Sequence, residues 1–345
     1  MASPATTSAP PNLLVVRPKR QGTASWPLID RLGYWLCWTM GIALCLIAIA
    51  IVIFMLVKGI SYLKPSLFVE SPVASVQQRT SGGFFDPIVG TLIITAIGTS
   101  IAAPIGVALA AWLSEYARPA PLARAVESGI DVIAGVPSIV LAIFGLLVFT
   151  QSFLGFLSQH AANGAVYGRS FFAAGIVMSI LALPLIVGST REALAQVPDR
   201  MREASYALGK TRASTIRSVL LPAIRPDIAS GVVLGMGRII GDTAIITVLL
   251  GATLTNQGVR NAPVIGALRG TGSTLTSYVY YNSPAGEGNS PQKAYAAAFV
   301  LLLIVLALNM LVTRLSRGRD ERGPLSILLA QLGTWGYRMT RMRRA

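Results

Sequence analysis

Arg238 and Asp242 have the clearest capacity for chemistry in this chain, because both fall inside an apolar run, about Ile228 to Thr253, long enough to cross a bilayer. An ionisable side chain at such a depth is costly, so a functional role is the default expectation. Four residues apart, the two share one face of a continuous helix. A guanidinium presents a fork of donors that matches phosphate oxygens bidentately. Asp242 beside it would hold the fork in place and temper its charge, so that an anion could both arrive and leave. The alternative is a structural ion pair in which the two groups only neutralise each other. Gly241 and Thr243 flank the acid as weaker candidates for lining a passage.

Other chemistries have little to stand on. His160 is the only histidine, and Cys37 and Cys45, the only cysteines, lie eight residues apart, about 12 Å along a helix and too far to bridge. No Cys or His cluster has metal-ligand spacing, and no nucleophile stands with a base inside the apolar runs, so neither a metal centre nor an intramembrane enzyme is expected. Gly209-Lys210-Thr211 looks like the end of a phosphate-binding G-x-x-x-x-G-K-[ST] loop. Ala204 stands where the first glycine belongs, and helix rather than strand precedes, so this chain is not expected to bind ATP.

The elements that position these residues follow from composition. The 345 residues are 53% hydrophobic and 12% charged, with a mean hydropathy of +0.62, a balance that points to lipid as the solvent. Six runs approach the roughly 20 residues a bilayer demands: Tyr34 to Val57, Ile88 to Leu113, Ile130 to Phe153, Phe171 to Val187, Ile228 to Thr253 and Ala294 to Val312. Backbone groups cannot stay unpaired in hydrocarbon, so each is expected to be a helix, with kinks at Pro104, Pro137, Pro184 and Gly241. The first run is too long for a signal-peptide core and lacks an A-x-A site, which makes it an anchor.

Three regions result: a disordered N-terminal tail over 1–30, a six-helix membrane domain over 31–315 with a cytosolic loop at 188–227, and a basic tail over 316–345. Of the 29 Lys and Arg residues, 21 fall on the side that holds both termini and 7 on the other, which puts both termini in the cytosol. The net charge of +15 is therefore topological, and nucleic acid is not an expected partner. Leu325 to Ala345 mixes apolar and basic residues and either lies along an anionic leaflet or is solvated. Arg260 and Arg269, on the outer side, read as solvated surface charge.

The loop at 188–227 is not slack. Leu194, Val197, Met201, Ala204 and Leu208 recur at three- and four-residue spacing with Arg200, Glu203 and Lys210 off that stripe, an amphipathic helix that wants a surface to lie against. Gly209 is placed to end it in a left-handed conformation, and Pro222 and Pro226 mark the return into the fifth run.

Glu203-Ala204-Ser205, Gly209 and Val219-Leu220-Leu221-Pro222 resemble the EAA loop of ABC-importer permeases, with Ser205 for the second alanine and Val219 for the usual isoleucine. Further stretches extend the likeness over roughly residues 27–315. Among them are Gly82-Gly83, Ile88-Val89-Gly90-Thr91-Leu92, Ala103-Pro104-Ile105-Gly106-Val107, Glu115-Tyr116-Ala117 and Gly135-Val136-Pro137-Ser138-Ile139-Val140. These are similar to the phosphate-specific permeases, the PstA and PstC pair. The short first outer loop and Asp30-Arg31-Leu32 before the first span favour the PstA type.

The resemblance implies an all-α polytopic membrane protein with the six-helix type I ABC-importer permease (MetI-like) fold, in the bacterial plasma membrane. It implies phosphate as substrate, a PstC-like sister permease, and a PstB-like ATPase dimer that binds ATP and magnesium in place of any cofactor in this chain. It also implies a PstS-like extracytoplasmic binding protein. Glu203, Ala204, Gly209, Leu221 and Pro222 would carry docking to the ATPase. The family's motif in the fifth span places a Glu four residues after the Arg, where this chain has Asp242. The remaining readings are a permease for sulfate or molybdate and a self-sufficient secondary transporter or channel. The latter predicts mid-membrane carboxylates, for which only Asp242 and Asp131 are available.

Overall fold

The computed structural model describes residues 27–72, 82–117, 120–158, 168–251, 268–284, 286 and 290–316, and every described element is helical. The first apolar run forms α1, Leu28–Gly59, a 32-residue helix whose most apolar window has a mean hydropathy of 3.1. Residues up to Phe54 form a unit by themselves, and the rest of the chain forms a second. The expected tails fall almost wholly at 1–26 and 317–345, outside the described residues, as do His160 and Arg260.

In the larger unit the long helices are α2 (Phe85–Glu115), α5 (Phe171–Gln196) and a C-terminal helix, Pro291–Ser316. With α1 they are four helices long and apolar enough to cross a bilayer, and the number reaches six if each of two bent pairs is one span. The first bent pair is α3 (Ala120–Gly135) and α4 (Ser138–Phe149), which meet at 107°. The third run, Ile130 to Phe153, is thus two helices rather than one continuous helix: Pro137 has no N–H to donate and stands as the cap of α4, so the expected kink is a full break. Pro104 and Pro184, by contrast, sit inside helices that continue past them.

The second bent pair begins in the loop at 188–227. After α6 (Asp199–Ala207) come α7 (Arg212–Thr215), a π-helical turn at Ile216–Leu220 and the short α8 (Leu221–Ala223), and α9 (Arg225–Gly241) departs at 75°. The fifth run then breaks again, and α10 (Ala244–Leu249) completes it. The last two helices are α11 (Leu275–Asn282) and α12 (Pro291–Ser316).

Helix α5 lies at the centre, packed on α2 and α9 and touched by α3, α4 and α10. Lipid gives no hydrophobic drive between helices, so close contact between small residues must hold them. Ile186 of α5 is fully buried, and a Cβ at Gly106 of α2 or Gly235 of α9 would meet its side chain at 2.8 and 3.0 Å. The two glycines are where α2 and α9 close on α5. Beyond the far end of α5, α11 packs on α12 and α2 around Phe84, Leu275, Tyr278 and Ala296. That helix lies between the fifth and sixth apolar runs, where the sequence reading placed no helix. Its signal was the Ser/Thr capping box, in which Thr274 and Ser277 satisfy each other's backbone N–H groups.

Candidate functional site

At the elbow of the 188–227 loop Pro198 separates α5 from α6, so the expected continuous stripe from Leu194 to Leu208 is split between two helices. Leu194 and Val197 are buried, with Ile216, Leu220 and Ile224, in a small core against α2. Met201, Ala204 and Leu208 instead face outward, Leu208 at 81% exposure. Arg200, Glu203 and Lys210, off the stripe, are exposed as well, and α6 is seated on the permease through Ser205 and Arg202. Ser205 is buried and shares a 2.9 Å hydrogen bond with Thr215, and Arg202 turns inward.

Arg202 is the hub of this seat. Its Nε donates to Glu115 Oε1 at 3.1 Å, Nη1 to Val197 O and Asp199 Oδ1, and Nη2 to Leu194 O at 2.9 Å. A cation placed on the last carbonyls of α5 satisfies acceptors that the helix itself leaves open and complements its dipole. Arg212 approaches Glu115 from the other side, donating to its carbonyl at 3.0 Å, and its guanidinium lies 5.7 Å from the centre of the Tyr116 ring. The end of α2 is therefore clamped to both limbs of the elbow.

Gly209 has φ +75°, the left-handed conformation its position predicts. Lys210 N–H donates to Ser205 O and Gly209 N–H to Tyr206 O, the Schellman pair of bonds that stops α6. Lys210 reaches Ser218, and Thr211 caps α7 by accepting from Ser214 N–H, so this Gly-Lys-Thr run serves as a helix boundary. Pro222 cannot donate and crowds the carbonyl four residues back; the π-helical turn before it widens the helix there. Leu221 and Pro222 are half-buried, while Glu203 and Ala204 are exposed.

The intramembrane pair differs from its expectation. Helix α9 ends at Gly241, and Asp242 is extended (φ −83°, ψ 120°) rather than helical. Asp242 is 7% exposed, and its carboxylate accepts from Ile245 N–H at 3.0 Å, capping α10. Arg238 is exposed, and neither residue makes an ion pair among the described residues. The i,i+4 spacing fails because an aspartate after a glycine competes for the backbone: the short carboxylate reaches an N–H three residues on and starts a new helix. Thr276 Oγ1 donates to Ile240 O at 2.7 Å, so α11 satisfies one carbonyl at the break. Thr243 is half-buried and Gly241 exposed, and the unwound backbone begins one turn beyond Arg238.

Arg238 lies 13 residues along α9 from Arg225, about 20 Å at 1.5 Å per residue, and so at membrane depth. An exposed guanidinium there needs water or a partner rather than lipid. Arg269, read from sequence as solvated, is half-buried and donates to Ser158 O at 3.4 Å.

Residues 102–321 match the family described as binding-protein-dependent transport system inner membrane component. The chain belongs to that family. The permease is 30% identical over 250 residues to phosphate transport system permease protein PstA 1 of Mycobacterium tuberculosis, covering 72% of this chain and 75% of the relative. Against PstC of Haemophilus influenzae the identity is 30%, over 68% and 75% of the two chains, and against PstA of the same organism 29%, over 80% and 86%. In fold it is similar to a chain of a bacterial alginate ABC transporter crystallised with an alginate pentasaccharide-bound periplasmic protein. The TM-score there is 0.58 at 18% identity, over 85% of this chain and 96% of that one. The permease is thus a membrane subunit with the helical fold of the ABC importers.

Proposed function

We propose that this permease is the PstA-type subunit of an ATP-driven phosphate importer. It would form half of the passage with a PstC-like sister permease and receive phosphate from an extracytoplasmic binding protein. The observation that carries the reading is the placement of Arg238, a guanidinium exposed on the single chain at membrane depth beside the break at Gly241, Asp242 and Thr243. A second permease packed over that face would enclose the fork in a polar passage, and the fork's geometry suits phosphate oxygens. The relatives named for phosphate transport support the same substrate.

Energy would enter through the elbow. The outward row of Met201, Ala204 and Leu208, with Glu203 beside it, offers an ATPase dimer an apolar ridge with a charged edge. ATP and magnesium belong to that partner. Closure of the ATPase would push α6, and Arg202 and Arg212 would pass the displacement to the ends of α5 and α2. Both termini and the elbow would then lie in the cytosol.

The experiment is stimulation of ATP hydrolysis in the assembled complex by binding protein loaded with phosphate, sulfate or molybdate. Phosphate alone is expected to stimulate, and stimulation by sulfate or molybdate but not phosphate transfers the reading to another oxyanion. Glu203→Arg is expected to release the ATPase from the purified complex, and an undiminished ATPase yield removes the elbow from coupling.

A further inference from the structure

We infer that the cleft between α2 and the second limb of the elbow binds an anionic phospholipid, with one acyl chain in the cleft and the headgroup on Arg212 and Arg217. The inference rests on the proposed cytosolic placement of the elbow, which brings the anionic leaflet to it. The cleft measures about 440 Å³. One wall is a single face of α2 and its cap, along which Pro104, Ala108, Trp112 and Tyr116 recur every four residues. The facing wall is Ala213, Ile216 and Leu221, contributed by α7, the π-helical turn and α8.

Shape selects the occupant. Pro104 and Tyr116 are 12 residues apart, about 18 Å at 1.5 Å per residue, so the α2 wall extends through about one leaflet of a 30 Å hydrocarbon core. A helix with its side chains is about 10 Å across and would fill about 1,400 Å³ over that length, about three times the volume of the cleft. A single acyl chain is thin enough to enter. Trp112 and Tyr116 stand at the elbow end, where amphipathic rings meet a membrane surface.

Charge at that same end selects the headgroup. The Arg212 guanidinium lies 5.7 Å from the centre of the Tyr116 ring and commits Nη1 to Glu115 O, which leaves its other N–H donors for a ligand. Arg217 is exposed and lies four residues from both Ala213 and Leu221, so it shares the face that forms the second wall. Neither arginine makes an ion pair among the described residues, and the Glu115 carboxylate at this corner is taken by Arg202 at 3.1 Å. A phosphodiester above a sheltered chain satisfies both the basic rim and the apolar walls, whereas free phosphate would leave the cleft empty. A lipid held there braces the joint at which Arg212 ties the elbow to the end of α2.

The test is quenching of Trp112 fluorescence by brominated lipid in vesicles that hold the full-length chain, with the Trp112 signal taken as the difference between wild type and Trp112→Phe. Phosphatidylcholine vesicles carry a rising fraction of brominated phosphatidylglycerol or of brominated phosphatidylcholine. The anionic lipid is expected to reach half its quenching at a mole fraction about twenty-five-fold lower than the zwitterionic one, from two cations near the surface. Arg212→Gln and Arg217→Gln should each reduce that preference about five-fold. Arg217 makes no side-chain bond to the described residues, so its variant decides the matter if the Arg212 form loses the elbow. Ala108→Phe, which narrows the cleft and leaves the arginines in place, should weaken quenching by both lipids.

Equal quenching by the two lipids in the wild type, or an unchanged preference in Arg217→Gln, overturns the site. So does loss of the anionic quenching when the sister permease is added, because the cleft then belongs to the interface between subunits. The vesicles hold the anionic lipid in both leaflets, so the readout is the same whichever side the elbow faces. A preference for phosphatidylglycerol in a permease whose complex is not stimulated by phosphate leaves the lipid site standing while the phosphate reading falls. Phosphate-stimulated ATPase with no lipid preference does the reverse.

Discussion

Arg238 was legible in the sequence because a guanidinium within an apolar run is costly enough to stand out. Its relation to Asp242 was not, because the i,i+4 rule presumes an unbroken helix and Asp242 opens a new one. The two residues therefore have separable roles. Arg238→Gln is expected to abolish phosphate uptake while the subunits still assemble, and normal uptake would reduce the arginine to a bystander. Asp242→Asn keeps an acceptor for Ile245 N–H and should leave stability nearly unchanged, whereas Asp242→Ala should cost about 1 kcal/mol by losing the cap. If uptake fails in both variants while only Ala destabilises, the carboxylate charge also matters to the anion.

Among the elements, the elbow shows how spacing and orientation carry different information. Gly209 as the stop of α6 and Pro222 at the return were readable from backbone restrictions that hold wherever those residues sit. The direction of the apolar stripe was not, because a helix awaiting a partner exposes the face that a lone chain would bury. Arg202, unremarkable in sequence, supplies the seat that permits this. Arg202→Ala should destabilise the elbow by about 2 kcal/mol, seen as lost thermal stability of the permease alone, since it strips four bonds from the junction of α2, α5 and α6. Leu208→Asp should leave that stability unchanged and lower ATPase co-purification. The opposite pattern would mean that the ridge, and not Arg202, holds the elbow in place.

For the whole molecule, six apolar runs led to the helical membrane fold, since length and hydropathy are imposed by the bilayer. They placed kinks at Pro137 and Gly241 but did not reveal that the helix stops at each, or that α11 packs between the fifth and sixth runs. Breaks and buried polar helices depend on neighbours that satisfy the freed backbone groups, as Thr276 does for Ile240, and those neighbours come from distant segments. The central claim is that the chain carries phosphate inward at the expense of ATP hydrolysed by a partner. Uptake of radiolabelled phosphate into proteoliposomes, reconstituted with the sister permease, the ATPase and phosphate-loaded binding protein, tests it most directly. The account predicts accumulation that requires ATP and stops with Arg238→Gln; accumulation without ATP, or by this chain alone, would contradict it.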